Sequence, residues 1–191
     1  MDNSKGILFI VSAPSGAGKT TLVKRILKEF PDIVFSVSAT TRKKRLDEKE
    51  GEDYFFITEE DFRRNIKKNE FAEWEKFYDY YYGTFKKYLD ENLRKGKNVL
   101  LEIDVKGALN IKKKYPAAVL IFIMPPNFEE LKQRLKNRQT EDEIDYQKRI
   151  KRAELELSQK DKFDYFVHNL EIDSAVADLK SLIEKKMKEK E

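Results

Sequence analysis

Residues 6–21 read GILFIVSAPSGAGKTT, an apolar, β-branched run that passes directly into a glycine-rich turn and then Lys-Thr-Thr. Few sequence features restrict a fold as tightly. A short run this apolar suits a strand covered on both faces, as in a parallel sheet. After the turn, TTLVKRILKEF sets Leu22, Ile26 and Leu27 on one helical stripe, which Pro31 ends. The turn itself, Ala13-Pro14-Ser15-Gly16-Ala17-Gly18-Lys19-Thr20, follows the pattern G-x-x-x-x-G-K-S/T with alanine in the first glycine position. Strand, loop and helix in this order point consecutive backbone N–H groups and the positive end of a helix at one place, where an anion fits. Lys19 adds a mobile cation for β- and γ-phosphates, and the Thr20 hydroxyl suits a Mg²⁺ shell. A plain flexible turn before Lys-Thr would leave both flanking elements unexplained. Ala13 is acceptable provided its backbone does not need a positive φ. A nucleoside triphosphate is the expected occupant.

The rest of the chain repeats the alternation. Buried-strand candidates are NVLLEID (98–104), AVLIFIM (118–124) and YFVHN (165–169), with helical stretches near 86–95, 105–114, 127–137 and 172–188 between and after them. Gly96 suits a helix C-terminus, and Asn127 with Glu130 forms an N-terminal cap pair. The predicted class is α/β, a parallel sheet flanked by helices. Two segments depart from it. Residues 37–85 hold DYFFI, FAEWEKF and YDYYYG around one helix capped by Thr58 and Asp61, and read as an inserted mixed-sheet subdomain. Residues 134–152, RLKNRQTEDEIDYQKRIKR, are so charged that they read as an exposed helical arm rather than core.

Composition narrows the setting. At 191 residues, with 40% hydrophobic and 12% aromatic side chains, the chain supports one domain with insertions. Its 39 Lys and Arg nearly cancel 35 Asp and Glu, so no nucleic-acid partner is expected. No apolar run approaches the roughly 20 residues of a membrane span. The start, MDNSKGILFIVSAP, lacks the basic region of a secretory leader, and the chain contains no cysteine. A cytoplasmic protein without a membrane partner is expected.

A second phosphate site is suggested by SVSATTRKKR, where Thr41, Arg42 and Arg45 gather hydroxyl and guanidinium donors. Taken with GEDYFF, FAEWEKF, YYYGT and LEIDVKGA, this run resembles the guanylate kinases, in the family's order and over nearly the whole chain. The resemblance implies a P-loop core (1–36, 86–125 and 156–191), a GMP-binding subdomain (37–85) and a helical lid (126–155). It also implies an enzyme whose small-molecule partners are ATP and GMP, with Mg²⁺ as cofactor; oligomeric state stays open. Carried over by position, Arg42, Arg45, Tyr54 and Tyr82 fall where the family grips the GMP phosphate. Ser38, Glu73, Thr84 and Asp104 fall where it reads guanine, whose N1–H and N2–H₂ edge suits a carboxylate. Lys19, Arg42 and the lid arginines Arg134, Arg138 and Arg149 are the implied catalytic cations, with Arg152 ranked below them. Glu102 and Asp104, two apart on a predicted strand, share a face and resemble an acidic Mg²⁺ site, direct or through water. Lys106 stands where the family usually has glutamine, and His168-Asn169-Leu170 replaces a commoner Asn-Asp pair. His168 is expected to be structural. Two rivals stay open: a kinase for another phosphorylated acceptor, and a non-enzymatic module on the same fold.

Overall fold

The computed structural model describes residues 6–77, 79–136 and 143–190. Five strands, β1 (Leu8–Ser12), β2 (Val34–Ser36), β7 (Val99–Glu102), β8 (Val119–Met124) and β9 (Tyr165–His168), form one sheet in the order β2-β7-β1-β8-β9. Every pairing in it is parallel. Around it lie α1 (Lys19–Glu29), α3 (Lys86–Arg94), α4 (Val105–Lys114), α5 (Phe128–Lys136), α6 (Glu143–Ser158) and α7 (Ile172–Lys188).

The apolar strands are buried on both faces because successive side chains point to opposite sides. On β1, Phe9 and Val11 join a cluster with Leu22, Ile26, Leu179 and Ile183 of α1 and α7. Leu8 and Ile10 join the opposite cluster, with Leu89, Ala108 and Ile111 of α3 and α4. One strand thus feeds two cores.

The second sheet, in the order β4-β3-β6-β5, is built from β3 (Ser38–Thr40), β4 (Tyr54–Phe56), β5 (Phe71–Phe77) and β6 (Tyr80–Phe85). It is mixed: β3 and β4 are parallel, whereas β3–β6 and β5–β6 are antiparallel. Its own core is Ala39, Phe62, Phe71 and Tyr81, with Phe62 supplied by α2 (Glu59–Lys67). The Thr58 hydroxyl caps α2 by accepting from Asp61 N at 3.0 Å. Asn127 Oδ1 likewise accepts from Glu130 N at 2.8 Å at the start of α5.

The charged arm over 134–152 is not wholly exposed. Leu135, Ile150 and Ala153 are buried in the core cluster of α1 and α7. Leu131 and Leu135 on α5 and Ile150 and Ala153 on α6 dock it, while long charged side chains hid that stripe in the sequence.

Candidate active site

The loop between β1 and α1 takes its shape from two glycines. Gly16 and Gly18 adopt φ of 88° and 85°, a left-handed backbone that a side chain resists. Ala13 has no positive φ, so the alanine costs the loop nothing there. Gly18 is also crowded, since a Cβ would stand 2.6 Å from Asn169 Nδ2. That amide donates to Ala17 O at 2.7 Å, and Asn169 N donates to Met124 O at 2.8 Å. Asn169 therefore fastens the loop to the end of β8, a role no sequence motif announced.

At the loop's far end, Lys19 Nζ donates to Ile103 O at 2.8 Å and stands 3.8 Å from Glu102. Thr20 Oγ1 donates to Glu102 Oε1 at 2.5 Å. Hydroxyl and carboxylate are hard oxygen donors side by side, a set that suits Mg²⁺. Asp104 differs from the strand-face expectation. The strand stops at Glu102, and Asp104 is the N-cap of α4, its Oδ1 accepting from Gly107 N at 2.7 Å. Glu102 and Asp104 reach the same cleft from a strand end and a helix cap, not by strand alternation.

The cleft encloses about 340 Å³ between the loop and the second sheet. Ser38, Arg45, Tyr54, Glu73, Tyr82 and Asp104 line it opposite the loop residues 13–21. Glu73 is 8% exposed, and its Oε1 accepts from the Thr84 hydroxyl at 2.8 Å. Burial pushes the Glu73 carboxyl up to about 7, against the Thr84 hydrogen bond that lowers it. Thr84 itself is fully buried, behind Glu73. Gly107 leaves room for that carboxylate, because a Cβ there would lie 2.9 Å from Glu73 Oε2. Burial also holds the Tyr54 phenol far above its ordinary value, so it remains an O–H donor.

The arginines divide. Among the described residues, Arg45 and Arg152 line the cleft, and Arg42, Arg134 and Arg149 do not. Arg42 is forked onto Glu48 at 2.6 and 2.9 Å and lies over the Tyr54 ring, while Glu48 also accepts from Arg45 N at 2.8 Å. Arg134 pairs with Glu130 along α5, Arg149 sits half-buried on α6, and Arg138 lies outside the described residues. Arg152, ranked low from sequence, is the α6 arginine in the cleft. It donates to Asp104 Oδ2 at 2.9 Å and Glu156 Oε1 at 2.7 Å, with its guanidinium 3.9 Å from the Phe77 ring. Glu156 Oε2 accepts from Ser15 N of the loop at 3.3 Å. Glu75, Phe77 and Glu156 are cleft residues that motif reading missed. His168 ends β9 with an exposed side chain, away from this lining.

A glycine loop on a parallel sheet, facing a second sheet across one cleft, defines a P-loop phosphotransferase with a separate acceptor site. The comparisons agree. The family model described as guanylate kinase matches residues 5–186. Guanylate kinase of Thermotoga maritima is 45% identical, over 94% of this chain and 86% of its own. That of Fusobacterium nucleatum is 47% identical over 97% and 100%. The crystal structure of guanylate kinase from Anaplasma phagocytophilum superimposes with a TM-score of 0.78 at 32% identity, over 96% of this chain and 87% of the other. This chain belongs to the guanylate kinase family, nucleoside monophosphate kinases that convert GMP and ATP to GDP and ADP. Among the described residues no helix is long and apolar enough to cross a membrane.

Proposed function

We propose that the loop holds ATP and the second sheet holds GMP, so that both substrates meet in the one cleft. The observation that carries this reading is the buried Glu73–Thr84 pair facing the phosphate loop. In its ionised form Glu73 offers two acceptors to guanine N1–H and N2–H₂, with Ser38 and Asp104 beside it. Arg45, Tyr54 and Tyr82 take the GMP phosphate, and Arg42 holds the Arg45 segment in place through Glu48. Arg134, Arg138 and Arg149 are assigned to the lid that closes over the phosphates.

An oxygen of the GMP phosphate attacks the γ-phosphorus of ATP in line, and the bond to the β–γ bridging oxygen breaks, leaving ADP. No strong base is needed, because the attacking oxygen is already largely ionised at neutral pH. Loop amides and Lys19 stabilise the charge spread over the transferring oxygens. Thr20 and Glu102 would hold Mg²⁺, with Asp104 near it, and its charge when bound neutralises the β- and γ-phosphates. The proposed setting is the cytoplasm, and no nucleic acid or membrane takes part.

A coupled assay of ADP formation with GMP, AMP, dTMP and UMP tests this reading. GMP is expected to lead the panel by orders of magnitude. Equal use of AMP would overturn it, because adenine N1 is an acceptor and would face the Glu73 carboxylate.

A further inference from the structure

The register of β5 and β6 sets two rungs side by side on the acceptor sheet. Glu73 stands opposite Thr84, and Glu75 opposite Tyr82. Residues two apart on a strand share a face, roughly 7 Å from each other. Glu73, Glu75 and Tyr82 all line the cleft. The first rung is assigned to the guanine edge, and Tyr82 on the second to the phosphate. The ribose lies between base and phosphate in any nucleoside monophosphate, and Glu75, across from Tyr82 and next after Glu73 on the same face, is the carboxylate nearest the path between the two rungs.

Its surroundings suit a hydroxyl donor. Oε1 accepts from Lys106 Nζ at 3.1 Å, while Oε2 is buried and takes no hydrogen bond. The terminal torsion of a glutamate is broad, so either oxygen can turn to a ligand. A donor arriving at this carboxylate therefore meets an acceptor that the protein leaves undersupplied. Lys106 pairs with Glu75 at 3.1 Å and offsets part of the repulsion between this carboxylate and an anionic phosphate. That gives the lysine in this glutamine position a task. Carboxylates bind ribose hydroxyls in the same way in dinucleotide folds.

We propose that Glu75, held by Lys106, accepts the ribose 2′-hydroxyl of the acceptor and makes the enzyme select ribonucleotides over deoxyribonucleotides. This rests on the GMP-acceptor reading above. The experiment is steady-state kinetics with GMP, dGMP and IMP for the wild type, Glu75→Ala and Glu75→Gln. The wild type is expected to favour GMP over dGMP about ten-fold or more in kcat/KM, the usual range for a lost buried hydrogen bond. Glu75→Ala should lower GMP use, leave dGMP use nearly unchanged, and bring the ratio within about two-fold. Glu75→Gln keeps a carbonyl acceptor and should retain part of the preference. The IMP-to-GMP ratio should not move, because it reports the base. A wild type that uses dGMP and GMP equally overturns the proposal and leaves the GMP reading standing. So does a Glu75→Ala enzyme that loses GMP and dGMP use together, the mark of a purely structural residue. A wild type that does not phosphorylate GMP overturns both readings.

Discussion

The two walls of the cleft are made of different material. The side assigned to ATP is main chain: loop amides shaped by Gly16 and Gly18, anchored through Asn169 and flanked by clusters that continue through the five-stranded sheet. The side assigned to the acceptor is side chains, Glu73, Arg45, Tyr54 and Tyr82, with Thr84 behind Glu73, on a four-stranded sheet whose own buried core, among the described residues, is four residues. A site of backbone amides is built by a short contiguous pattern and tolerates little variation in geometry. A site of side chains is assembled from distant strands and is set by register and burial. The first wall should be rigid and general for triphosphates, the second softer and selective.

The sharpest way to break this contrast is at Lys19, the cationic side chain of the loop. Lys19→Met should lower kcat with GMP by about a hundred-fold or more, the scale of losing one preorganised charge from the transition state. The fold should survive, since among the described residues the Lys19 ammonium meets the Ile103 carbonyl and Glu102 alone. Circular dichroism and kcat measured together check this. Near-normal turnover by the folded variant would remove Lys19 from the chemistry.

The contrast also explains what was legible in the sequence. The strand–loop–helix and three of the four later strands of the parallel sheet, β7, β8 and β9, follow from local apolar runs and caps, whereas the three-residue β2 was not read; Gly96 does adopt the positive φ, 74°, of a helix end. On the acceptor wall, the run SVSATTRKKR announces cations but not which of them face the cleft. Arg42 is drawn onto Glu48, six residues on, and only the folded loop decides that. Asp104 looked like a strand residue because the apolar run hides where the strand stops and α4 begins. Arg152 stood among many charged neighbours on α6, and its selection rests on Asp104 and Glu156 reaching it from two directions. Residues whose surroundings are local could be read; those defined by long-range partners could not.

A smaller effect, on the acceptor wall alone, tests Glu73. Its carboxyl titrates near pH 7 in the fold, against an ordinary value of 4.5, because it is buried. Between those values the folded protein binds more protons than the unfolded chain, so stability falls as pH rises. Above about pH 7 the full cost is present, and a gap of this size amounts to about 3 kcal/mol. Glu73→Gln removes the ionisation. The ligand-free variant should match the wild type at about pH 4, below the unfolded value, and exceed its urea stability at pH 8.5. It should still be the poorer enzyme, losing about ten- to a hundred-fold in kcat/KM for GMP, because an amide donor then meets a guanine donor. The KM for ATP should stay within about two-fold, as for a group away from that ligand. A stability difference that ignores pH would mean that the Glu73 carboxyl titrates alike in the folded and unfolded chain, so that burial does not raise it. A shifted KM for ATP would couple the two walls.

The smallest effect addresses the softness of the acceptor wall. The Thr58 hydroxyl caps α2, which contributes Phe62 to the four-residue core. Removing such a cap costs about 1 kcal/mol. In a small unit resting on its own core, that loss should appear as local opening rather than global unfolding. Thr58→Ala should therefore speed amide hydrogen exchange about five-fold in α2 and in β5, where Phe71 packs on Phe62 with ring centroids 4.4 Å apart. Exchange in β1 and β8 should be unchanged, since Phe9, Ile10 and Ile121 belong to the other cores. The KM for ATP should not move, and the KM for GMP should rise by no more than the same factor, because opening removes only the GMP-competent population. If β1 and β8 lose protection by an equal factor, the two sheets open as one cooperative unit. The rigid-and-soft division of the cleft would then be wrong, and selectivity for the acceptor would have to come from contact chemistry alone.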